Sequence, residues 1–180
     1  MALPRVFEWE DDGNEFAPGR RPQDGVMRIT PTEELAALRT ASASYKNIKL
    51  PANKDVFIVP HGKSLEIVAE IDLKDSKQVG MKVFATKDGQ EETLVTFVQT
   101  MNGLMIDTTK GSIWEQAYPR TPEIGFLRLP KGEPLKLRVF IDQSIIEVFA
   151  NDVACLTTRV YPHRDDADGI AFFSRAADAE

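Results

Sequence analysis

Leu137 to Asp152 reads LRVFIDQSIIEVFAND. Two runs rich in Val, Ile and Phe flank the short polar break Asp142-Gln143-Ser144, the pattern of a β-hairpin. Asp142 suits the turn because its carboxylate can accept a bond from a backbone N–H two residues on. Glu147 falls in mid-strand and faces the same way as Ile145 and Phe149. A carboxylate on such a face needs a donor from an adjacent strand or a partner domain. Paired carboxylates are also what a glycosidase uses, one as general acid and one as nucleophile or base. That use requires both acids to point into a common cleft, and nothing else in the chain supplies the rest of such a site.

The same strand grammar extends outward from this hairpin. DVFIVP, SLEIVAEIDL, VGMKVFAT, TLVTFVQT and GLMIDT precede it, each short and bounded by Gly, Asp, Asn or Lys. FLRLP, LKLRVFID, SIIEVFAN, ACLTTRVYP and GIAFFSR follow after a looser section. About ten strands at short, regular spacing predict an all-β fold, an antiparallel sandwich of two sheets. Leu65, Ile67, Ala69 and Ile71 alternate with Glu66, Val68, Glu70 and Asp72, giving one buried face and one mostly wet. Lys87-Asp-Gly-Gln90 carries the Asp-Gly of a two-residue hairpin turn.

Upstream the pattern changes. Residues 1–29, polar and punctuated by Gly and Pro, read as an irregular arm lying on something else. Glu10, Asp11, Asp12 and Glu15 match no calcium-loop spacing and read as a solvated loop. Residues 30–54 read as a short helix and a polar connection. Thr30 is the expected cap, Pro31 the first helical residue and Glu33 the partner in a capping box, with Leu35 and Leu38 on one face. Residues 55–180 form the sandwich domain.

Composition narrows the function. A net charge of −6 argues against nucleic acid as a partner. No apolar run reaches the length of a membrane span, and MALPRVFEWEDDGNE lacks a basic region followed by an apolar core, so no signal peptide is visible and a cytoplasmic setting is expected. The single cysteine, Cys155, allows no internal disulfide and reads as a buried, inert thiol. His61 and His163, each in a Pro-adjacent turn, read as exposed turn residues, and Asp165, Asp166 and Asp168 as a turn. No metal or cofactor is expected. Trp9, Trp114 and Tyr118 are candidate stacking surfaces for a sugar, whose C–H groups meet the negative face of an aromatic ring. Packing under a loop, or cover for a docking surface, is the plainer reading of the same rings.

LRVFIDQSIIEVFANDVACLTTRVYP resembles the closing segment of the C-terminal β-sandwich module in glycoside hydrolase family 32, the invertases, inulinases and levanases. The matches are Phe140, Asp142, Ser144, Glu147, Phe149, Asn151, Asp152, Thr157, Arg159, Tyr161 and Pro162. Val153 stands where a glycine is usual, so the Asn151-Asp152 turn is expected to be longer or differently shaped. SLEIVAEIDL resembles the family's first sandwich strands and PTEELAALR its linker helix. Met1-Ala-Leu-Pro-Arg5 looks like the segment that closes the last blade of the family's propeller.

The resemblance implies that Asp142, Ser144, Glu147, Asn151, Asp152 and Arg159 are structural. The family's catalytic residues lie in an N-terminal five-bladed propeller, in Asn-Asp-Pro, Arg-Asp-Pro and Glu-Cys motifs, and this sequence contains none of the three. The expected function is therefore that of a non-catalytic module, acting by docking, self-association or weak binding of a fructan-type carbohydrate. The alternative is the C-terminal part of a β-fructofuranosidase that acts on sucrose or fructans only together with a separate catalytic propeller. Glu147 is expected to pair with Arg159 across the Asn151-Asp152 turn. A homodimer, with residues 1–29 contributing to the contact, is expected to cover any apolar flank left bare.

Overall fold

The computed structural model describes residues 3–11, 25–59, 61–117 and 120–176. In chain order the strands are β1 (Arg5–Asp11), β2 (Gly25–Pro31), β3 (Lys54–Ile58), β4 (Ser64–Ile71), β5 (Gln78–Ala85), β6 (Thr93–Val98), β7 (Gly103–Asp107), β8 (Glu123–Phe126), β9 (Leu135–Asp142), β10 (Ile145–Ala150), β11 (Ala154–Arg159) and β12 (Gly169–Arg175). β1 and β2 pair with each other as a separate antiparallel ribbon. The other ten strands make two antiparallel sheets, ordered β11-β10-β9-β4 and β3-β12-β5-β6-β7-β8.

The sheets face each other through the residues that period-two alternation turns inward. Ile67 and Ile71 of β4, Leu135, Leu137, Val139 and Ile141 of β9, and Ile146 and Val148 of β10 form one wall of the core. Val79, Met81 and Val83 of β5, Val95 and Phe97 of β6, Leu104 and Ile106 of β7, and Ile170 and Phe172 of β12 form the other. The all-β sandwich expected from the sequence is the observed fold, with ten strands in the sandwich and two more in the ribbon.

Four local readings need correction. Residues 5–11 and 25–29 are not irregular: Val6 pairs with Thr30, Phe7 with Ile29 and Trp9 with Met27. Because Thr30 and Pro31 are held in β2, they cannot start a helix. The chain turns only at Thr32, into a 3-10 helix over Glu33–Leu38 with no side-chain cap. Leu35 is buried there while Leu38 remains exposed. The strand expected over FLRLP lies at Glu123–Phe126 instead, paired with β7. The β5–β6 connection is longer than a two-residue turn: Thr86 N–H donates to Glu91 O at 2.9 Å, and Gly89 sits at φ 70°.

β5 also bulges against β12. From the pair Gly169–Ala85 to the pair Ala171–Lys82, β12 moves two residues and β5 three. The extra residue lets the buried Phe84 adopt φ 49°, a left-handed conformation that bulky residues rarely take. Gly169 is required opposite, since a Cβ there would lie 2.5 Å from Ala85 O. The outer side of this sheet is tied by charge. Lys82 Nζ bridges Asp55 at 2.7 Å and Glu92 at 2.6 Å, and Arg175 reaches Asp55 at 2.7 Å. Among the described residues no helix is long and apolar enough to cross a membrane.

Burial alone would raise the pKa of Asp55, but Lys82 and Arg175 outweigh it and hold the carboxyl below its ordinary 3.8. Unfolded chains then bind this proton at a higher pH than folded ones do. The contribution is present above the ordinary carboxylate pKa and is lost as pH falls through the depressed one. Chemical denaturation should therefore show stability falling from about pH 5 to about pH 3, and Asp55→Asn should flatten that slope. An unchanged slope in the variant would show that Asp55 does not carry it.

Candidate functional site: the covered face of the four-stranded sheet

β10 is buried along almost its whole length, on both faces. Its inner residues Ile146 and Val148 belong to the core, whereas Glu147 and Phe149 point the other way and are 0% and 1% exposed. Register places Glu147 between Phe140 of β9 and Thr157 of β11, and Phe149 between Arg138 and Cys155. An outer face of an antiparallel sheet is ordinarily wet. This one is covered by the segment that precedes the sandwich.

Glu147 is the centre of the cover. Oε2 accepts a bond from Leu3 N–H at 2.7 Å; Oε1 accepts from the Arg5 guanidinium and from Thr157 Oγ1 at 3.0 Å. The other arm of Arg5 donates to Cys155 Sγ at 3.3 Å, and the guanidinium carbon lies 5.8 Å from the centre of the Phe149 ring. Phe149 in turn meets Phe140 edge to face at 6.1 Å. Charge, donors and aromatic surface thus interlock at one point.

The cation is Arg5, not Arg159. Arg159 stands opposite Ile145, and its guanidinium goes to Ser144 Oγ at 3.4 Å and over the Tyr161 ring at 5.2 Å. The residue opposite Glu147 is Thr157, which can donate one neutral bond but no charge.

The rest of the motif holds the same cover in place. Asn151 and Asp152 both adopt left-handed conformations, φ 47° and 58°, in a three-residue turn that ends with Val153 between the paired Ala150 and Ala154. Two residues tolerant of positive φ make a glycine unnecessary at position 153. The Asn151 side chain accepts from Lys136 N–H at 3.0 Å and donates to Pro134 O at 3.0 Å. The freed carbonyl of Asp152 accepts from Ile29 N–H of β2 at 2.7 Å. Asp142, at the mouth of the two-residue turn Gln143-Ser144, is exposed and accepts from Ser64 Oγ at 3.2 Å. Asp142 and Glu147 share no cleft, since Glu147 is sealed beneath Leu3 and Arg5. They are not a glycosidase pair.

A second clamp lies toward β4. Arg39, just after the 3-10 helix, grips both oxygens of Glu66 at 2.6 and 2.8 Å, and Arg138 adds a third bond at 2.7 Å. The hydrogen bonds from Arg39, with help from Arg138, hold the Glu66 carboxyl below its ordinary 4.5 against the opposing effect of burial. Burial pushes the Cys155 thiol up; Arg5 pulls it down, and the Glu147 charge raises it again.

The aromatic candidates are not brought together. Trp9 stands on β1, 52% exposed, and lines a shallow open depression with Glu8, Glu10, Arg28, Thr30 and Asp152. Trp114 stands between β7 and β8, stacked on His163. Tyr118, Asp12 and Glu15 lie outside the described residues. His61 is exposed and pairs with Asp168 at 2.7 Å. Among the described residues no cluster of three or more His, Cys, Asp or Glu could hold a metal ion. Sequence reasoning missed Arg39 and the buried Glu91, whose partners are backbone amides. For Arg5 a signal existed, since the resemblance at Met1–Arg5 ran through it.

Residues 34–180 match the family model described as "Glycosyl hydrolases family 32 C terminal". The chain belongs to glycoside hydrolase family 32. A levanase of Bacillus subtilis is 30% identical over 136 residues, which cover 72% of this chain and 20% of that protein. A sucrose-6-phosphate hydrolase of Zymomonas mobilis is 22% identical over 155 residues, covering 83% of this chain and 29% of the relative. The chain therefore spans well under a third of these curated relatives. Among solved structures, a β-fructofuranosidase of Aspergillus kawachii superposes with a TM-score of 0.74 at 20% identity, covering 97% of this chain and 35% of that one. A fructan 1-exohydrolase IIa of Cichorium intybus gives 0.72 at 21%, covering 84% and 36%.

The clasp yields a graded expectation. Arg5→Ala leaves a buried carboxylate with neutral donors alone and should cost about 3 kcal/mol. Replacing the pair with apolar residues, Arg5→Met with Glu147→Leu, should recover most of that loss. In the single variant Cys155 should react faster with a thiol reagent, because its cover is loosened. Equal stability of all three proteins by denaturant titration, with unchanged thiol labelling, would contradict this account.

Proposed function

We propose that this chain is the non-catalytic β-sandwich of a family 32 enzyme acting on β-fructofuranosides, and that it works by holding a catalytic propeller through the ribbon on its covered face. The observation that carries the reading is an exposed apolar side of that ribbon. Beyond the clasp, Phe7, Trp9 and Met27 stay 58%, 52% and 50% exposed. All three lie on one side of the β1–β2 pair, with Trp9 directly across from Met27. A two-stranded ribbon is marginal by itself, and its open edges invite further strands. Here one end is pinned to the sandwich by Glu147, so the apolar stripe is presented in a fixed place.

The substrate class comes from the relatives' names, levanase, sucrose-6-phosphate hydrolase and β-fructofuranosidase. The non-catalytic role is supported by the absence of the three propeller motifs from the sequence. A second reading has another copy of the chain cover the stripe, since an exposed apolar side suits a two-fold contact.

The full chain alone should release no fructose from sucrose, inulin or levan; robust release would overturn the non-catalytic role. Mixed with a separately produced family 32 propeller, it should form a one-to-one complex by light scattering. Phe7→Glu with Trp9→Glu should abolish that complex while leaving the melting temperature of the free chain nearly unchanged, as exposed substitutions usually do. A complex that survives both charges would overturn docking through the ribbon. A stable dimer that the charges dissolve, with no propeller bound by either protein, would replace docking with self-association.

A further inference from the structure

Three connections meet at one end of the sandwich: residues 86–92, 108–117 and 160–168. Their centre is Glu91, which is 0% exposed. Its Oε1 accepts from Ile113 N–H at 2.8 Å and His163 N–H at 2.9 Å, and its Oε2 from Arg164 N–H at 3.0 Å. Three amide donors offset the cost of burying a carboxylate. They also fix the backbone on both sides of the cluster, from which Trp114 and His163 project.

The two rings lie within 16° of parallel, with centroids 6.4 Å apart. Even with His163 against it, Trp114 keeps 48% of its surface in solvent. The next residue after His163 ties the same connections together by charge. Arg164, whose amide is on Glu91, binds Asp88 at 2.6 Å, Gln90 at 3.2 Å and Asp166 at 2.7 Å. None of these residues belongs to the ribbon or to the core cluster.

An exposed ring on a rigid backbone loses little freedom when a ligand settles on it. Its negative face suits the C–H face of a sugar, and carboxylate, amide and guanidinium groups suit hydroxyls that both donate and accept. We propose that Trp114 and His163, at the end of the sandwich that also carries Asp88, Gln90, Arg164 and Asp166, form a carbohydrate-binding site for β-fructoside chains. The choice of β-fructosides rests on the function proposed above; the platform itself rests on the geometry. The site is built from other connections than the clasp, and binding there needs no propeller.

Isothermal titration calorimetry on the full chain tests this, with inulin-type and levan-type oligosaccharides and with malto-oligosaccharides as control. Saturable binding of at least one fructan type is expected, about tenfold or more tighter than the control, which is a difference of about 1.4 kcal/mol. Trp114→Ala should lose that binding with an unchanged circular dichroism spectrum and melting curve. No saturable heat with either fructan, full affinity in Trp114→Ala, or equal affinity for malto-oligosaccharides would overturn the proposal. Fructan binding by a chain that fails to engage a propeller would overturn docking alone, and docking without fructan binding would overturn this site alone.

Discussion

A carboxylate with no exposed surface in the middle of a β-strand must be met by donors, and Glu147 is met by Arg5 and the Leu3 amide, which come from outside the sandwich. Thr157 alone, its neighbour within the sheet, could not compensate the charge. The sandwich and the segment before it are thus parts of one electrostatic unit. Once Arg5 is fixed, β1 has a defined starting point, and the bond from Ile29 to Asp152 fixes β2 at the other side.

This dependence explains why the four-stranded sheet departs from the usual one wet face. The stretch IIEVFA has no period-two polarity because both of its faces are covered, the inner one by the opposite sheet and the outer one by Arg5 and the ribbon. The alternating pattern returns on β4 and β9, where Glu70, Lys136 and Asp142 reach solvent. The motif residues Glu147, Asn151 and Asp152 therefore mark an interface rather than a reaction centre. Their chemistry serves to hold one unit of chain against another.

Much of this was legible in the sequence, and the failures have physical causes. Nine of the ten sandwich strands followed from runs of apolar, β-branched residues and the turn residues that bound them; β8, with no buried residue, was displaced. RVFEWED and GVMRI carry no strand signal because both faces of each are largely exposed, so no clean alternation survives. Thr30-Pro31 offered a good helix start by local chemistry, but pairing with Val6 and Arg5 overrode it. Arg159 was the nearest basic residue in the hairpin, yet a two-residue offset in register placed it beside Ser144. Glu91 left no trace at all, since its three partners are backbone amides that any sequence would carry.

Through Glu147 and Asp152 the ribbon is held as firmly as the strand it covers. Native-state hydrogen exchange reads this directly, amide by amide. Leu3 and Ile29, whose N–H groups bond to Glu147 and Asp152, should exchange with protection comparable to the amides of Ile145–Ala150. Leu3 and Ile29 exchanging like free chain while that strand stays protected would mean that the sandwich stands without its cover, and that the clasp is incidental.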